Sequence, residues 1–107
     1  MILPPRRIDR IVRGLAKGEV IAYPTEGVWG LGCLPDLEAA VTRILAIKQR
    51  SWTEGLILVA SKISHVDRYL DGISEKKRRL LEYTWPAPVT FLVPDNGHVP
   101  SWIKGDH

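Results

Sequence analysis

Two apolar runs meet across a short break near the start of the chain. Val20-Ile21-Ala22-Tyr23 leads into Pro24-Thr25-Glu26-Gly27, and a second run continues from Val28 to Cys33. This arrangement constrains the fold more than any other feature. The first run is β-branched and aromatic and reads as a strand heading into a core. Pro24 disfavours helical geometry at Tyr23 and keeps the chain extended. Polar residues between two core-seeking segments mark a turn or the wall of a site. Gly27, Gly30 and Gly32 follow the order G-x-x-G-x-G, the reverse of a dinucleotide fingerprint, and no helix follows directly. That excludes a Rossmann-type site. The glycines instead allow close backbone packing or a bulge.

Elsewhere the apolar period switches between strand and helix. Residues 6–17 carry Ile8, Ile11, Val12 and Leu15 at helical spacing, with Gly18 as the stop. Residues 36–49 carry Leu37, Ala40, Val41, Ile44 and Leu45 on one stripe, with Asp36 as the predicted N-cap. Lys48 continues that stripe, so it either snorkels to solvent or points into a cleft at the rim of the core. Gly55-Leu-Ile-Leu-Val-Ala60 is a continuous apolar run of the kind found in a strand covered on both faces. Residues 63–70 and 74–83 read as helices, the second capped by Ser74 with Glu75 in its first turn. Trp85-Pro86-Ala87-Pro88 reads as a rigid turn and 89–93 as another strand. Pro94, Asn96, Gly97 and Pro100 make a loop, and the chain stops just after it at Lys104-Gly105-Asp106-His107. About four strands alternate with four helices. The expected class is therefore α/β, a twisted mixed sheet with flanking helices.

The length, 107 residues, suits one domain with one core. Hydrophobic residues make up 45% and charged residues 25%, which argues against disorder. No apolar run approaches the roughly 18 residues of a membrane helix, so no membrane partner is expected. The N-terminus has no apolar segment behind its charges and does not read as a secretory signal. A single cysteine, Cys33, makes no internal disulfide. A reducing, cytoplasmic compartment is the expectation. The net charge of +3 is patchy: Arg6, Arg7, Arg10, Arg13 and Lys17 form one group and residues 76–79 another. Such groups are either solvated helix faces or contacts for phosphate-bearing partners such as RNA.

Several chemistries are excluded by pattern. There is no Walker P-loop and no G-x-S-x-G elbow. His65, His98 and His107 are far apart in sequence and Cys33 has no near partner, so no metal site is expected. Two segments can carry chemistry. Thr25 offers a hydroxyl and a backbone N–H at a strand end, where open α/β sheets bind ligands; the other reading is a hydrogen-bonded turn. Lys48-Gln49-Arg50 ends the long helix. Cations there suit the helix dipole, and a point charge beside a planar fork can also converge on a polyphosphate.

Four segments in register, "VIAYPTEGVWGLGC", "AVTRILAIKQR", "GLILVA" and "WPAPVTFLVP", resemble the YrdC/TsaC family of threonylcarbamoyl-AMP synthases, in its short bacterial form. The likeness spans nearly the whole chain and identifies residues 1–107 as the N-terminal part of a single YrdC-like domain, incomplete on its C-terminal side. It implies a sheet around a positively charged cavity in which L-threonine, bicarbonate and ATP give threonylcarbamoyl-AMP and pyrophosphate. Magnesium is expected with the ATP. The product feeds the N6-threonylcarbamoyladenosine-37 modification of tRNA through separate transferase proteins. The resemblance assigns Lys48 and Arg50 of the K-x-R motif to the ATP phosphates as the catalytic cations, and Thr25 and Gly27 to the threonine pocket. It places Glu54 close to the nucleotide.

The chain departs from the pattern at three positions. Many relatives have threonine where this chain has Gly27. Lysine or asparagine is frequent in place of Glu54, and a carboxylate there repels phosphates unless it faces away or meets magnesium. Ser51 replaces the proline usual after K-x-R. The chain also ends before the family's V-R-x-P and S-x-N elements, so the isolated chain is expected to be inactive. The alternative function is a tRNA or double-stranded RNA-binding module without catalysis, using Arg6, Arg7, Arg10 and Arg13.

Overall fold

The computed structural model describes residues 4–25, 27–87 and 89–106. The chain divides into two compact units, Met1–Leu56 with Ser101–His107, and Ile57–Pro100.

The first unit opens with α1, Pro5–Ala16. Pro5 at the first helical position fits because its missing N–H would have had no intrahelical partner. The helix stops as expected at Gly18, which takes φ +91°. The predicted apolar stripe is only partly inward, since Ile8 and Val12 are exposed. Strands β1, Ile21–Pro24, and β2, Trp29–Gly32, then form an antiparallel hairpin with Tyr23 opposite Gly30. The glycines act by absence of side chain. The Tyr23 ring lies across β2, and a Cβ on Gly32 would sit 2.9 Å from it. The two short polar-flanked strands stay together partly because this ring covers the glycine-rich strand.

Helix α2, Glu38–Lys48, supplies the core of the unit. Ala40, Val41, Ile44 and Leu45 are buried, as their spacing predicts. The cap differs from expectation. Asp36 lies one residue too early. Leu37 is the N-cap, extended at φ −98°, without a side-chain cap bond, and its carbonyl accepts from the N–H groups of Ala40 and Val41. Glu38 provides the negative charge at this end. A 3₁₀ turn, Trp52–Glu54, follows. The chain end is a further correction: Ser101–Lys104 is a short helix, α4, not a continuation of the loop. Buried Ile103 anchors it. The Leu56 N–H donates to the Ile103 carbonyl at 2.8 Å, and the Asp106 N–H to the Thr53 carbonyl at 3.0 Å. These bonds tie residues 53–56 to the C-terminal helix.

The second unit holds a 3₁₀ stretch, Ile63–Tyr69, and helix α3, Glu75–Thr84. The first was expected as a regular helix. It is two tight turns joined at Val66, whose φ of −120° and ψ of 15° are non-helical. Ser74 caps α3 as predicted, its hydroxyl accepting from the Lys77 N–H at 3.2 Å. Arg78 binds Asp67 and Glu82, and those carboxylates, Asp67 first, raise its pKa further. Tyr69, Leu70 and Leu81 form the buried cluster. Asn96 holds the 94–100 loop by donating to the carbonyls of Arg68 and Asp71.

The α/β class stands, but the sheet among the described residues is the β1–β2 hairpin. The predicted strands at 55–60 and 89–93 are not paired into a ladder. A strand needs a neighbour for its N–H and C=O groups, and apolar composition alone does not supply one. Instead of being covered on both faces, Ile57 and Val59 are exposed. The Trp85-Pro86-Ala87 part of the predicted turn is anchored by the indole N–H of Trp85, which donates to the Ala60 carbonyl at 3.1 Å. Glu26 and Pro88, singled out in the sequence, lie outside the described residues.

Candidate functional site

The break between the two apolar runs is the tip of the hairpin. Thr25 organises it. Its side-chain oxygen accepts from the N–H groups of Gly27 (3.4 Å) and Val28 (3.2 Å), and its O–H donates to the Val28 carbonyl. The Thr25 N–H reaches the same carbonyl at 3.2 Å. The hydroxyl is therefore committed to the turn, in the way short hydroxyl side chains stabilise local reversals. Gly27 beside it is open: a Cβ there would meet nothing within 4 Å.

The second candidate segment closes α2. Gln49 takes a left-handed conformation, φ 53° and ψ 44°. The Gln49 N–H bonds to Ala46 and the Arg50 N–H to Leu45 at 2.9 Å. This is a Schellman closure with glutamine in the position that glycine usually fills, at a cost of about 1 kcal/mol. The reversal carries Arg50 off the helix. There its Nε donates to Glu54 at 2.6 Å, with both side chains about half exposed. Such a pair contributes roughly 0–1 kcal/mol to stability. Its larger effect is on charge: an anion reaching Arg50 meets a guanidinium already shared with a carboxylate. Lys48 ends α2 on the same stripe as Ile44, yet it is exposed, so its stem leaves the core rim for solvent.

Beside Arg50 lies a hollow of about 610 Å³. Thr42 and Ala46 of α2, Arg50, Ser51, Trp52 and Trp102 form most of its wall. Ser51 is fixed by a 2.8 Å hydroxyl pair with Thr53. Trp102 is fixed by its indole N–H, which donates to the Pro35 carbonyl at 2.7 Å. Two indoles and one guanidinium suit a flat ring, while Glu38, which also lines the hollow, opposes an anionic group there. Lys48, Thr25 and Gly27 do not line this hollow. Sequence reasoning missed the tryptophans. Trp52 stands two residues after Arg50 and was in plain view. Trp102 is joined to Pro35 across 67 positions, and no local pattern signals that.

The remaining predicted residues lie on α1. Arg6, Arg7, Arg10 and Arg13 are all exposed. Positions 6, 10 and 13 share one helix face. Among the described residues no three His, Cys, Asp or Glu side chains are grouped to hold a metal ion, and no helix is long and apolar enough to cross a membrane.

Residues 13–107 match the family profile that groups Sua5, YciO and YrdC and is described as "Telomere recombination". The chain is 47% identical over 100 residues to a threonylcarbamoyl-AMP synthase of Hahella chejuensis, covering 94% of this chain and 54% of that protein. The corresponding synthase of Stutzerimonas stutzeri is 48% identical over 101 residues, 94% of this chain and 55% of its own length. The structure of the H234A/Y235A form of P. abyssi Sua5 superposes with a TM-score of 0.87 at 30% identity, covering 98% of this chain and 32% of that one. The chain thus spans about half the length of the curated relatives it matches.

Proposed function

The chain belongs to the Sua5/YciO/YrdC family, and from that premise we propose that it is the nucleotide-handling part of a threonylcarbamoyl-AMP synthase. In this reading L-threonine, bicarbonate and ATP are converted to threonylcarbamoyl-AMP and pyrophosphate, in the cytoplasm, for tRNA modification by partner transferases. The observation that carries it is the identity of 47% to a protein of that name across 94% of the chain.

Lys48 and Arg50 are assigned to the ATP phosphates as the catalytic cations. Their role is electrostatic, offsetting charge that builds on the departing pyrophosphate. The strained Gln49 between them supports this, since a costly backbone conformation persists where neighbouring groups need to be aimed. Glu54 neutralises Arg50 until the nucleotide arrives. Magnesium belongs to this reading as a companion of the ATP phosphates, because the described residues offer no cluster for it. Thr25 and Gly27 are assigned to L-threonine. Thr25 contributes by shaping the hairpin tip, and the open space at Gly27 leaves room for the substrate.

The test is isothermal titration of the chain with magnesium and ATP, beside Lys48→Ala/Arg50→Ala. Binding by the parent and at least tenfold weaker binding by the folded variant is expected. Equal affinities would remove Lys48 and Arg50 from the site. Glu54→Gln is expected to tighten ATP binding severalfold, because Arg50 is then freed of its competitor.

A second reading has its own observation. The exposed arginines at positions 6, 7, 10 and 13 suit an RNA backbone. Binding to duplex RNA that falls steeply with salt and ignores ATP would favour it.

A further inference from the structure

The hollow between α2, the 52–54 turn and α4 lies within the first unit, and of its lining residues only Arg50 is assigned to ATP. What it offers a ligand follows from where its polar hydrogens go. The Trp102 indole N–H is taken by the Pro35 carbonyl, so this residue lines the hollow as an aromatic surface and not as a donor. The Thr42 hydroxyl donates to the Glu38 carbonyl at 2.9 Å. The Ser51 hydroxyl is paired with that of Thr53 and accepts from the Thr53 N–H. The Arg50 Nε donates to Glu54, whose carboxylate balances the guanidinium charge. The donors of the wall are thus largely spent inside the protein.

Glu38 is the opposite case. It shares one face of α2 with Thr42 and Ala46, which also line the hollow. Among the described residues its carboxylate is in no ion pair. An anion entering here meets that carboxylate and few free donors, and an uncharged ring gains nothing from it. A flat cation uses every group. Trp52, 54% exposed, and Trp102 supply π surfaces that attract positive charge, and Glu38 supplies the counter-charge. We propose that the hollow is a binding site for a flat heteroaromatic cation, an N-alkylated or protonated ring, held against Trp52 and Trp102 with its charge toward Glu38. The volume of about 610 Å³ is in the range of small-molecule sites. The proposal does not rest on the assignment of Lys48 and Arg50 to ATP.

The experiment follows the indole N–H resonances of the isotope-labelled chain during titration with ring-N-methylated nicotinamide, a flat cation, and with nicotinamide, its uncharged counterpart. Saturable shifts at Trp52 and Trp102 are expected, with an affinity for the cation about tenfold above that for nicotinamide. Glu38→Gln should abolish this preference, and Trp52→Leu should weaken cation binding about fivefold. Both positions are exposed, so the variants keep the circular dichroism of the parent. Glu75→Gln in the first turn of α3, outside the hollow, leaves the affinity unchanged. Glu54→Gln separates this site from the ATP reading. It leaves Arg50 uncompensated in the wall and should weaken the cation severalfold, whereas ATP binding should tighten. Equal affinities for the cation and nicotinamide, an unaltered preference in Glu38→Gln, tighter cation binding by Glu54→Gln, or shifts confined to Trp29 and Trp85 would each overturn the proposal. ATP binding without cation binding sinks this proposal alone. Cation binding without ATP binding sinks only the functional reading.

Discussion

The two units of this protein spend their apolar residues differently. In the first, α2 turns Ala40, Val41, Ile44 and Leu45 inward, and Ile103 of α4 joins them. In the second, Tyr69, Leu70 and Leu81 are buried, while Ile57, Val59 and Leu92 are exposed to 69%, 74% and 97%. Composition does not cause the difference, since 57–60 and 89–93 are as apolar as α2. Hydrogen bonding does. A helix satisfies its own backbone and needs only one packed face. A strand leaves its backbone groups to a neighbour, and without one its side chains have no layer to enter. The packed helix face of the first unit is buried, and the unladdered segments of the second leave their side chains at the surface.

The largest test of this contrast is a pair of truncations. Ile44→Ala should cost about 2–5 kcal/mol, read as a lower urea midpoint, and Leu92→Ala should stay within about 0.5 kcal/mol. Equal losses would break the comparison. Next in size is the hairpin. Gly32→Ala puts a methyl 2.9 Å from the Tyr23 ring and should destabilise by about 1–3 kcal/mol. Adding Tyr23→Ala should relieve most of that clash, so the two changes should be strongly non-additive in a double-mutant cycle.

Smaller effects sharpen the comparison at the caps. Ser74→Ala should remove about 1 kcal/mol from α3, seen as faster amide exchange at Lys77. Gln49→Gly should go the other way and stabilise α2 by up to about 1 kcal/mol, by relieving the left-handed residue. The smallest effect is pH-dependent. Partial burial raises the pKa of the Cys33 thiol above its ordinary value, so the folded state favours the protonated form. The resulting stability is present below the unfolded-state pKa and is lost as pH rises through the folded-state value. Cys33→Ser should flatten the stability curve on the alkaline side of pH 8, measured by thermal unfolding at stepped pH.

Much of this was legible in advance because it is local. The period of α2 named its buried face, Ser74 named the cap of α3, and the four-residue break named the hairpin tip. The four motif segments identified the family. The cap of α2 was misread because Asp36 and Leu37 differ by one position, and only the backbone angle at Leu37 decides between them. The candidate cations were legible as a motif, but not their geometry. The left-handed turn at Gln49 that separates Lys48 from Arg50, and the Glu54 carboxylate on the latter, depend on how the chain leaves the helix.

What the sequence by itself determined is the set of self-sufficient pieces: helices with one apolar face, their stops, the tight hairpin with its glycines, and the residue types available for phosphate chemistry. Each depends on neighbours within about four positions, where propensity and spacing act directly. Only the tertiary structure decided which apolar segments found a partner, that Trp102 reaches Pro35 to wall the hollow beside Arg50, and that residues 57–60 and 89–93 gather around Trp85 at the surface. Those outcomes turn on contacts between residues far apart in the chain, whose loop-closure cost and pairing geometry no local pattern encodes.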